Sequence, residues 1–598
     1  MATTRIYQSL ALATAGTLLA ATGAGATDSA TEARLRMLEA EIARLRPLEA
    51  EVAKLRHEAH GAKAQAKIAT NVANTAQAHV SKDGHGHPPP PPVFVSFKNG
   101  LFVETEDKAF SIHIGGRVHA DGGWQSDPAN GDASNVLLRR ARLDVAGKAF
   151  KYWYYRTQFE FGGSSGAASS ANVRDAWLAF KYPLLTTIGL PYEAPIVIQL
   201  ANQLRPLGLE AMSTSNSGIT FIERSMMSDA FNTPRRHLGA SISSGGHNWG
   251  VKAGLYSTSP QDRGIRPINN RLGQYWEVDG RAVFLPIRTE EDLIHIGATG
   301  RYYQNNGASG ASNDELIVGP GVRNEANALN TRLLGTPDMS CNPGGPFNLF
   351  GSVWASNPAL GGSLVQNNCL KNSTQFNVEF VGIHGPFSIQ AEYSQAYYNR
   401  NSYNSAALLI TPTALTGVPA FQAARLAAGQ GLQSSAAFDG FYVQAQLFLT
   451  GETRITGYTD IEHNINTPYT FSTAPKILNP ISKGGYGAWE VAGRWSSINL
   501  DNGSQGAWSY LPAYGALGLI PGVATPAGLF PAVLAANSVG ITGGRVNKIT
   551  LGLNWYPEKG YRFLFNYGRV LANVAPFNQP WLSSNDTNSF LTRAEVWW

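Results

Sequence analysis

The 598-residue chain has little cysteine, little excess charge and no long apolar run after its N-terminus. Cys341 and Cys369 are its only cysteines, so neither a disulfide framework nor a cysteine-rich metal site can hold the fold together. The formal net charge of +5 is too small to indicate a nucleic-acid-binding protein. Because a membrane-spanning helix needs roughly 20 apolar residues, the sequence also excludes helical membrane spans.

No arrangement of residues points to catalysis. The segment 162–166, GGSSG, formally fits the G-x-S-x-G pattern. It lies in a run of Gly, Ser and Ala between predicted strands, whereas a nucleophile such as Ser164 needs a strand-to-helix turn. A phosphate-binding G-x-x-x-x-G-K-[ST] loop is also missing. The sequence therefore predicts a protein that is not an enzyme and needs no cofactor.

The first 26 residues have the pattern of an export signal. Arg5 supplies a positive start, an apolar stretch follows over 10–21, and Ala24-Gly25-Ala26 is a small-residue cleavage site. The apolar stretch is too short to be a helical membrane anchor. We therefore expect the mature protein to lie outside the cytoplasm, where Cys341 and Cys369, on the same predicted outer loop, could form a disulfide or stay as free thiols.

Residues 27–80 are predicted to form a helix with coiled-coil character. Leu35, Leu38, Ile42 and Leu45 follow 3-4-3 spacing, and the decapeptide LEAEIARLRP nearly repeats as LEAEVAKLRH. Such a stripe is most simply buried by association with further copies, although a solvated single helix stays an alternative. This segment would lie in the periplasm, where contact with peptidoglycan is one role open to it.

Residues 81–104 are predicted to be a linker rich in histidine and proline. Five consecutive prolines, 88–92, make a stiff extended spacer. The chain between residues 57 and 87 also carries five of the twelve histidines. They could bind a divalent metal, but they lack a fixed ligand geometry, so the hydrophilic linker is the better interpretation and no metal site is predicted. These histidines are His57, His60, His79, His85 and His87.

From residue 105 onward the pattern indicates β-strands with one face toward membrane lipid. Phe110, Ile112 and Ile114 share one face of the first strand, while His113 and Arg117 share the other. Sixteen such segments can be counted, and an even number is what a closed antiparallel barrel requires. They lie near 110–124, 136–149, 152–162, 173–182, 195–203, 236–243, 249–256, 275–285, 293–303, 375–383, 386–397, 440–450, 487–496, 547–556, 561–570 and 589–598.

The connections between these segments alternate between long and short, as the outer and periplasmic sides of such a barrel demand. One exception joins strands 12 and 13, where about 36 residues would hang into the periplasm; a mistaken strand count would be another explanation. At the C-terminus apolar side chains alternate outward and the chain stops on Trp598, a terminal aromatic residue that resembles those of outer-membrane barrels.

Several segments resemble the phosphate-selective porin O and P family. They include LLRRARLDVAGKAF (137–150), DAWLAF (175–180), SGITFIERS (217–225), GFYVQAQLFLTGETR (440–454), GAWEVAGRW (487–495) and GGRVNKITLGLNWYP (543–557). The resemblance spans about residues 95 to 598 and implies a sixteen-stranded trimeric porin in the bacterial outer membrane. The expected fold class is therefore an all-β, sixteen-stranded antiparallel transmembrane barrel over 105–598, preceded by a short coiled coil.

Alternation places a set of charged side chains on the lumen side, where rings of charge set the selectivity of a pore. Among its arginines, the wall candidates for the pore lining are Arg117, Arg140, Arg142, Arg156, Arg301 and Arg494. The third outer connection, 204–236, could fold inward as a constriction, as in porins generally. It carries Arg205, Arg224, Arg235 and Arg236 together with Glu210, Glu223 and Asp229, which makes a weakly positive gate. Individually, each of these residues could equally belong to a salt-bridged barrel wall.

The expected function is passive diffusion of small, anionic solutes, with phosphate or polyphosphate as candidates. The family's preference for phosphate is less well supported for this chain than its function as a channel. Residues 1–92 hold 10 of the 47 basic and 8 of the 42 acidic side chains, which leaves 37 against 34 for the barrel, a balance of only +3. We therefore favour general diffusion of anions over strict phosphate selectivity. The alternative is a structural role, in which a closed or plugged barrel anchors a periplasmic coiled coil to the membrane.

Overall fold

A computed structural model describes residues 92–97, 100–128, 131–163, 172–187, 194–214, 217–232, 235–257, 276–304, 321–325, 328–329, 332–335, 370–400, 435–503, 540–574 and 586–598. The predicted signal peptide and coiled coil lie outside these residues. Within them, no helix combines the length and the apolar character that a bilayer-spanning helix needs.

The described residues are almost entirely β-structure, with twenty-two strands and short helices in the connections. The strands are β1 Val93–Phe97, β2 Leu101–Thr105, β3 Ser111–Ser126, β4 Ala133–Ala149, β5 Trp153–Glu160, β6 Asn172–Tyr182, β7 Ile196–Leu204, β8 Arg236–Gly245, β9 Trp249–Tyr256, β10 Trp276–Arg288, β11 Asp292–Gln304, β12 Gly321–Arg323, β13 Arg332–Gly335, β14 Leu370–His384, β15 Phe387–Arg400, β16 Ser435–Phe448, β17 Tyr458–Thr459, β18 Thr470–Phe471, β19 Ala488–Gly503, β20 Gly540–Tyr556, β21 Tyr561–Val574 and β22 Asn588–Trp597. The α-helices are α1 Leu184–Thr187, α2 Leu209–Met212 and α3 Met226–Phe231, and 3₁₀ turns lie at Arg454–Gly457 and Ile481–Lys483.

Sixteen of these strands close into one antiparallel barrel, which confirms the predicted fold class and strand count. Each of them pairs with its neighbours along the chain, and the last strand, β22, returns to the first, β3, with Asn588 opposite Ser126 and Trp597 opposite Arg117. The staves are β3 to β11, β14 to β16 and β19 to β22. Closure leaves no free strand edge in the ring itself, as a barrel in lipid requires.

The alternation of side chains along each strand explains why these residues form a barrel. In β10, for example, Glu277, Asp279 and Arg281 are buried inside, while Val278 and Phe284 are exposed on the outer surface. Short turns join β4 to β5, β8 to β9, β14 to β15 and β20 to β21, and these mark the periplasmic end of the barrel.

Residues 93–105, which include the last part of the segment predicted to be a linker, form an additional hairpin. Their sequences, VFVSF and LFVET, are rich in β-branched and aromatic residues, which favour strands. Strand β1 pairs with β2, and β2 pairs with the first residues of β3, with Leu101 opposite Ile114. The hairpin extends the sheet at the periplasmic end, beside the place where β22 stops. The barrel sheet therefore contains eighteen strands, of which sixteen close the ring.

Candidate functional site

The third outer connection, between β7 and β8, folds into the barrel. Its helix α3 is capped by Ser225, whose side chain accepts a hydrogen bond from Ser228 N. Leu209, Met226 and Phe231 of this connection are fully buried. The described residues of segment 204–236, which the sequence left open as an inward-folding constriction, therefore lie in the lumen.

A carboxylate fixes this inserted segment to the barrel wall. Glu223 accepts hydrogen bonds from Arg139 Nε and Arg593 Nη2, each at 2.8 Å, and Arg140 lies 3.7 Å away. Burial raises the pKa of the Glu223 carboxyl, but Arg139, Arg140 and Arg593 lower it more, so that the pKa lies well below its usual range. Glu223 is therefore an anchor of the segment, in contact with three cations.

The connection between β16 and β19 also enters the lumen, from the periplasmic end. Its strands β17 and β18 pair with each other, with Tyr458 opposite Phe471. Arg281 of the wall donates to the carbonyl oxygens of Pro468 and Tyr469, at 3.0 Å each. The 36 residues expected to hang into the periplasm are thus largely an internal plug, and the strand count was right. We call residues 449–487 the plug.

The plug packs against one side of the barrel through an apolar cluster. Its buried members include Tyr458, Ile461 and Phe471, which meet inward-facing side chains at the periplasmic ends of β6 to β14. A second apolar cluster joins α3 to β12, β13 and the walls of β11 to β21. Both clusters fill parts of the lumen away from β3 and β4. The wall members of the first cluster are Trp177, Ala179, Val197, Val283, Leu285, Leu293, Val381 and Ile383.

A cavity of about 340 Å³ stays open along β3 to β6. It reaches the outer side, because Gly162, Gly163 and Asn172 flank the outer connection between β5 and β6. Nine arginines line it, against two carboxylates, those of Glu160 and Asp175. We call this space the outer cavity. Its arginines are Arg117, Arg139, Arg140, Arg142, Arg156, Arg174, Arg224, Arg235 and Arg236.

Two β-bulges bring additional arginines to the outer cavity. In the β3–β4 pairing the partners on β4 pass from Arg140 to Leu138, so Arg139 is an extra residue. In the β5–β6 pairing the partners on β6 pass from Asp175 to Val173, which makes Arg174 extra. A bulge changes the direction of a side chain, and alternation alone would have placed Arg139 and Arg174 on the lipid side.

Carboxylates pair with some of the cavity arginines. Arg142 Nε lies 2.5 Å from Glu160 Oε2, and Arg236 Nε lies 2.7 Å from Asp175 Oδ1. Arg156 donates to both oxygens of Asp144 and lies 3.8 Å from Asp175. These pairs hold the guanidinium groups in place and neutralise part of their charge.

Other cavity arginines have donors that no carboxylate engages. Arg224 donates to the carbonyl oxygens of Glu210 and Ser213, at 2.8 and 2.6 Å. The Nε atoms of Arg174 and Arg235 are buried and have no hydrogen-bond partner among the described residues. Donors that are buried without a partner favour an anionic ligand, because such a ligand would satisfy them.

A second cavity, of about 740 Å³, continues to the periplasmic end. Its lining includes His113, Lys559 and Trp598 at that end. It shares six residues with the outer cavity, so the two spaces meet there. These residues, which we call the junction, are Arg117, Arg142, Arg156 and Gln158 of the wall and Asn464 and Ser472 of the plug.

Seven of the eleven predicted pore residues lie together around the outer cavity. All seven are arginines, from the wall strands β3 to β5 and from the third outer connection with the first residue of β8. The wall strands and the inserted segment therefore both contribute arginines to the same space. The seven are Arg117, Arg140, Arg142, Arg156, Arg224, Arg235 and Arg236.

The other four predicted pore residues lie elsewhere in the lumen. Arg205 contacts Glu277 and Asp279. Arg494 contacts Glu325, Arg301 donates to the carbonyl oxygen of Phe231, and Glu223 is the anchor described above. Among the remaining predicted positions, Cys341, Cys369 and Ser164 lie outside the described residues.

Sequence reasoning missed Arg139, Arg174 and the polar residues of the plug. The pairs Arg139-Arg140 and Arg174-Asp175 carried a usable signal, because charged neighbours within one strand would force one of them into lipid unless a bulge intervenes. Within the described part of the chain, no group of three or more His, Cys, Asp or Glu side chains could hold a metal ion.

Comparison with known proteins finds a family model that matches most of the barrel. The family described as phosphate-selective porin O and P matches residues 112–573. Porin O of Pseudomonas aeruginosa is 22% identical over 511 residues, covering 84% of this chain and 92% of that protein. Among solved structures, an anion-selective porin from Comamonas acidovorans gives a TM-score of 0.40 and 9% identity, over 82% of this chain and 100% of its own. The channel DcaP of Acinetobacter baumannii gives a TM-score of 0.39 and 9% identity, over 83% and 99%.

Proposed function

Because the chain belongs to the phosphate-selective porin O and P family, we propose that its arginine-lined passage carries small anionic solutes across the bacterial outer membrane. The observation that carries this proposal is the charge of the outer cavity, with nine arginines against two carboxylates. A cavity lined by one sign of charge concentrates ions of the opposite sign. Catalysis is no part of the proposal.

The local charge of the passage outweighs the small net charge of the barrel. On the side of β7 to β10, buried charges contact each other, as Arg205 does with Glu277 and Asp279. Along β3 to β6 the basic side chains are in excess. A balance of only +3 over the barrel is therefore compatible with an anion-selective passage.

The chemistry of arginine suits phosphate and other oxyanions. Each guanidinium keeps its charge at every physiological pH and offers a planar fork of donors that matches two oxygens. Arg174 and Arg235 each provide a buried Nε donor that is not engaged by another described residue. We include phosphate and polyphosphate among the solutes, and keep diffusion of anions in general ahead of strict phosphate selectivity.

The assembly we propose is a homotrimer, as the family resemblance implies, with residues 1–26 removed as a signal peptide. Residues 27–80 would form a coiled coil in the periplasm, within reach of peptidoglycan. The spacing of Leu35, Leu38, Ile42 and Leu45 supports this association, because a stripe of apolar side chains is buried when helices pack together.

The test is the reversal potential of the purified protein in a planar bilayer with a potassium chloride gradient. We expect anion selectivity in the wild type, and its loss in the double variant Arg174→Glu, Arg235→Glu. The matched control is Arg545→Glu, Arg569→Glu, which makes the same change of charge at side chains that are 56% and 50% exposed. The control should keep the selectivity of the wild type.

The effect of added phosphate on the chloride current then distinguishes a phosphate-binding passage from a general anion channel. Block of the chloride current by millimolar phosphate would support a phosphate-binding passage, and an unaffected current would support a general anion channel. Current steps without anion selectivity would contradict the proposal. A protein that gives no steps would instead favour the structural anchor with a closed barrel.

A further inference from the structure

The second cavity of the lumen, which we call the periplasmic cavity, has both charged and apolar walls. Its volume of about 740 Å³ lies in the range of small-molecule sites, about 300–1,000 Å³. Such sites cover the apolar part of a ligand with apolar side chains and orient it through a few polar groups. The apolar lining residues of the periplasmic cavity include Ala146, Ala474, Pro475, Ile477 and Trp597.

Trp597 brings an aromatic ring next to the arginines of the junction. On β22 it continues the series of Arg593 and Glu595, which are buried inside the barrel, so Trp597 also faces the lumen. It lies opposite Arg117 of β3, which in turn lies opposite Arg142 of β4. Directly opposite residues of an antiparallel pair have Cβ atoms about 4.5–5.5 Å apart. One indole ring and two guanidinium groups therefore form a row along the inner wall.

The plug supplies a second apolar surface to the periplasmic cavity. Ala474, Pro475 and Ile477 line the cavity from this side. The backbone holds this stretch in place, because Lys476 N donates to Thr456 Oγ1 at 2.8 Å. Ile477 also packs against a buried apolar cluster at the end of the wall. A surface that is already ordered favours binding, since little conformational entropy is lost when a ligand contacts it.

The charges of the periplasmic cavity favour an anionic ligand. Both of its carboxylates have partners, because Asp144 accepts hydrogen bonds from Arg156 and Gln158. Glu558 accepts one from Ser482 N at 3.0 Å. Arginine and lysine side chains outnumber these two carboxylates in the lining. They are Arg117, Arg142, Arg156, Lys476 and Lys559.

We propose that the passage takes organic anions that combine an oxyanion head with a flat apolar group. The periplasmic cavity holds them with the head at Arg117 and Arg142 and the apolar group against Trp597 and the plug. The inference rests on the anion passage proposed above and adds a class of solute to it. Guanidinium forks match the oxygens of the head, and an aromatic side chain packs against a flat apolar group. The lining of the outer cavity is mostly polar, so it suits the head alone.

Block of the chloride current in planar bilayers tests the inference, with phenyl phosphate and methyl phosphate as probes. At about pH 8 both monoesters carry about two negative charges, and phenyl phosphate alone has an aromatic ring. In the wild type we expect phenyl phosphate to block half of the current at a concentration roughly 3- to 10-fold lower than methyl phosphate does. Trp597→Ala should abolish this difference and leave the block by methyl phosphate unchanged.

Further variants keep the test decisive if Trp597→Ala disturbs folding. Trp597→Phe retains a ring and should keep most of the preference for phenyl phosphate, whereas Ile477→Ser should reduce the preference from the side of the plug. The matched control is Trp495→Ala, which removes a tryptophan that is 48% exposed on the outer surface and should leave the preference unchanged.

Two results would overturn the inference while the proposed function stands. One is equal block by the two probes in a wild-type channel that is anion-selective. The other is a preference for phenyl phosphate that survives in both Trp597→Ala and Ile477→Ser. A wild-type channel without anion selectivity would instead refute the anion passage itself, and the reversal potential measures this separately.

Discussion

At the scale of single residues, arginines that look alike in sequence have different roles. Arg236 holds the buried carboxylate of Asp175 at 2.7 Å, whereas Arg174, one residue before Asp175, has a buried Nε without a partner among the described residues. The first arginine stabilises the wall, whereas the second has a donor available to the anions that we propose pass here. We therefore expect stability and selectivity to depend on different members of the same cluster.

Substitutions at these two positions should separate the roles. Arg174→Gln should lower the ratio of anion to cation permeability several-fold, because one charge is lost from the wall of the passage, and leave thermal stability unchanged. Arg236→Gln leaves Asp175 with Arg156 at 3.8 Å and should cost about 1–3 kcal/mol of stability. Bilayer recordings and thermal unfolding in detergent measure the two effects. Equal loss of stability in both variants would contradict this division.

At the scale of elements, the plug forms part of the wall of the passage at the junction. Asn464 and Ser472 line the space where the two cavities meet, together with Arg117 of the wall. The plug is held there by the apolar cluster and by contacts with Arg281 and Lys252. The passage is therefore bounded by an insertion from the periplasmic end as well as by the third outer connection.

Replacing residues 460–468 of the plug by a short Gly-Ser linker should widen the passage. We expect a conductance several-fold higher and weaker anion selectivity, because Asn464 and Asn466 no longer narrow the space beside the arginines. The matched control replaces residues 478–482 of the same connection, where Leu478 and Ile481 are exposed. Unchanged conductance in the first variant would show that the plug does not limit the flow.

Acid should loosen one attachment of the plug, the ion pair in which Arg288 of β10 lies 2.9 Å from Asp460. Burial raises the pKa of Asp460, but His463 and Arg288 lower it more, to about 2. Since this value lies below the ordinary 3.8, the stabilising contribution is complete above about pH 4 and is lost as the pH falls through about 2.

Conductance should thus stay constant from about pH 7 to about pH 4.5 and rise below about pH 3. The variant Asp460→Asn removes the charge at every pH, so it should show the higher conductance already at neutral pH. Recordings at a series of pH values check both expectations. A wild-type conductance that does not rise in acid, with an unchanged value for Asp460→Asn, would show that this ion pair does not hold the plug.

The sequence predicted the barrel strands more accurately than it predicted which residues and segments occupy the lumen. Period-two alternation located all sixteen staves, because one face of each strand must meet lipid. It missed Arg139 and Arg174, since a bulge shifts the register by one residue. It also missed the plug, although apolar residues at inward positions, such as Val283 and Leu285, carried a signal that something packs there. Packing between segments that are distant in the chain produces no periodic pattern in the local sequence.

At the scale of the whole barrel, the lumen is divided into two parts. Along β3 to β6 it is open and rich in arginine, and across the remaining wall it is filled by the inserted segments and by paired charges. Packing in the filled part holds the inserted segments in place. Because these segments also line the open part, the same packing determines its shape. Transport is therefore assigned to the open side of the barrel, whereas the apolar packing that holds the insertions lies mainly on the other side.

This division predicts opposite effects for two arginines of the lumen. Arg205 is fully buried against Glu277 and Asp279. The substitution Arg205→Gln should lower the stability by about 3–5 kcal/mol, because it leaves an uncompensated buried charge behind. The reversal potential should nevertheless stay that of the wild type. Arg117→Gln at the junction should shift the reversal potential toward cation selectivity with little change in thermal unfolding. If Arg205→Gln altered selectivity as strongly as Arg117→Gln, the filled side would also conduct, and the assignment of one passage along β3 to β6 would be wrong.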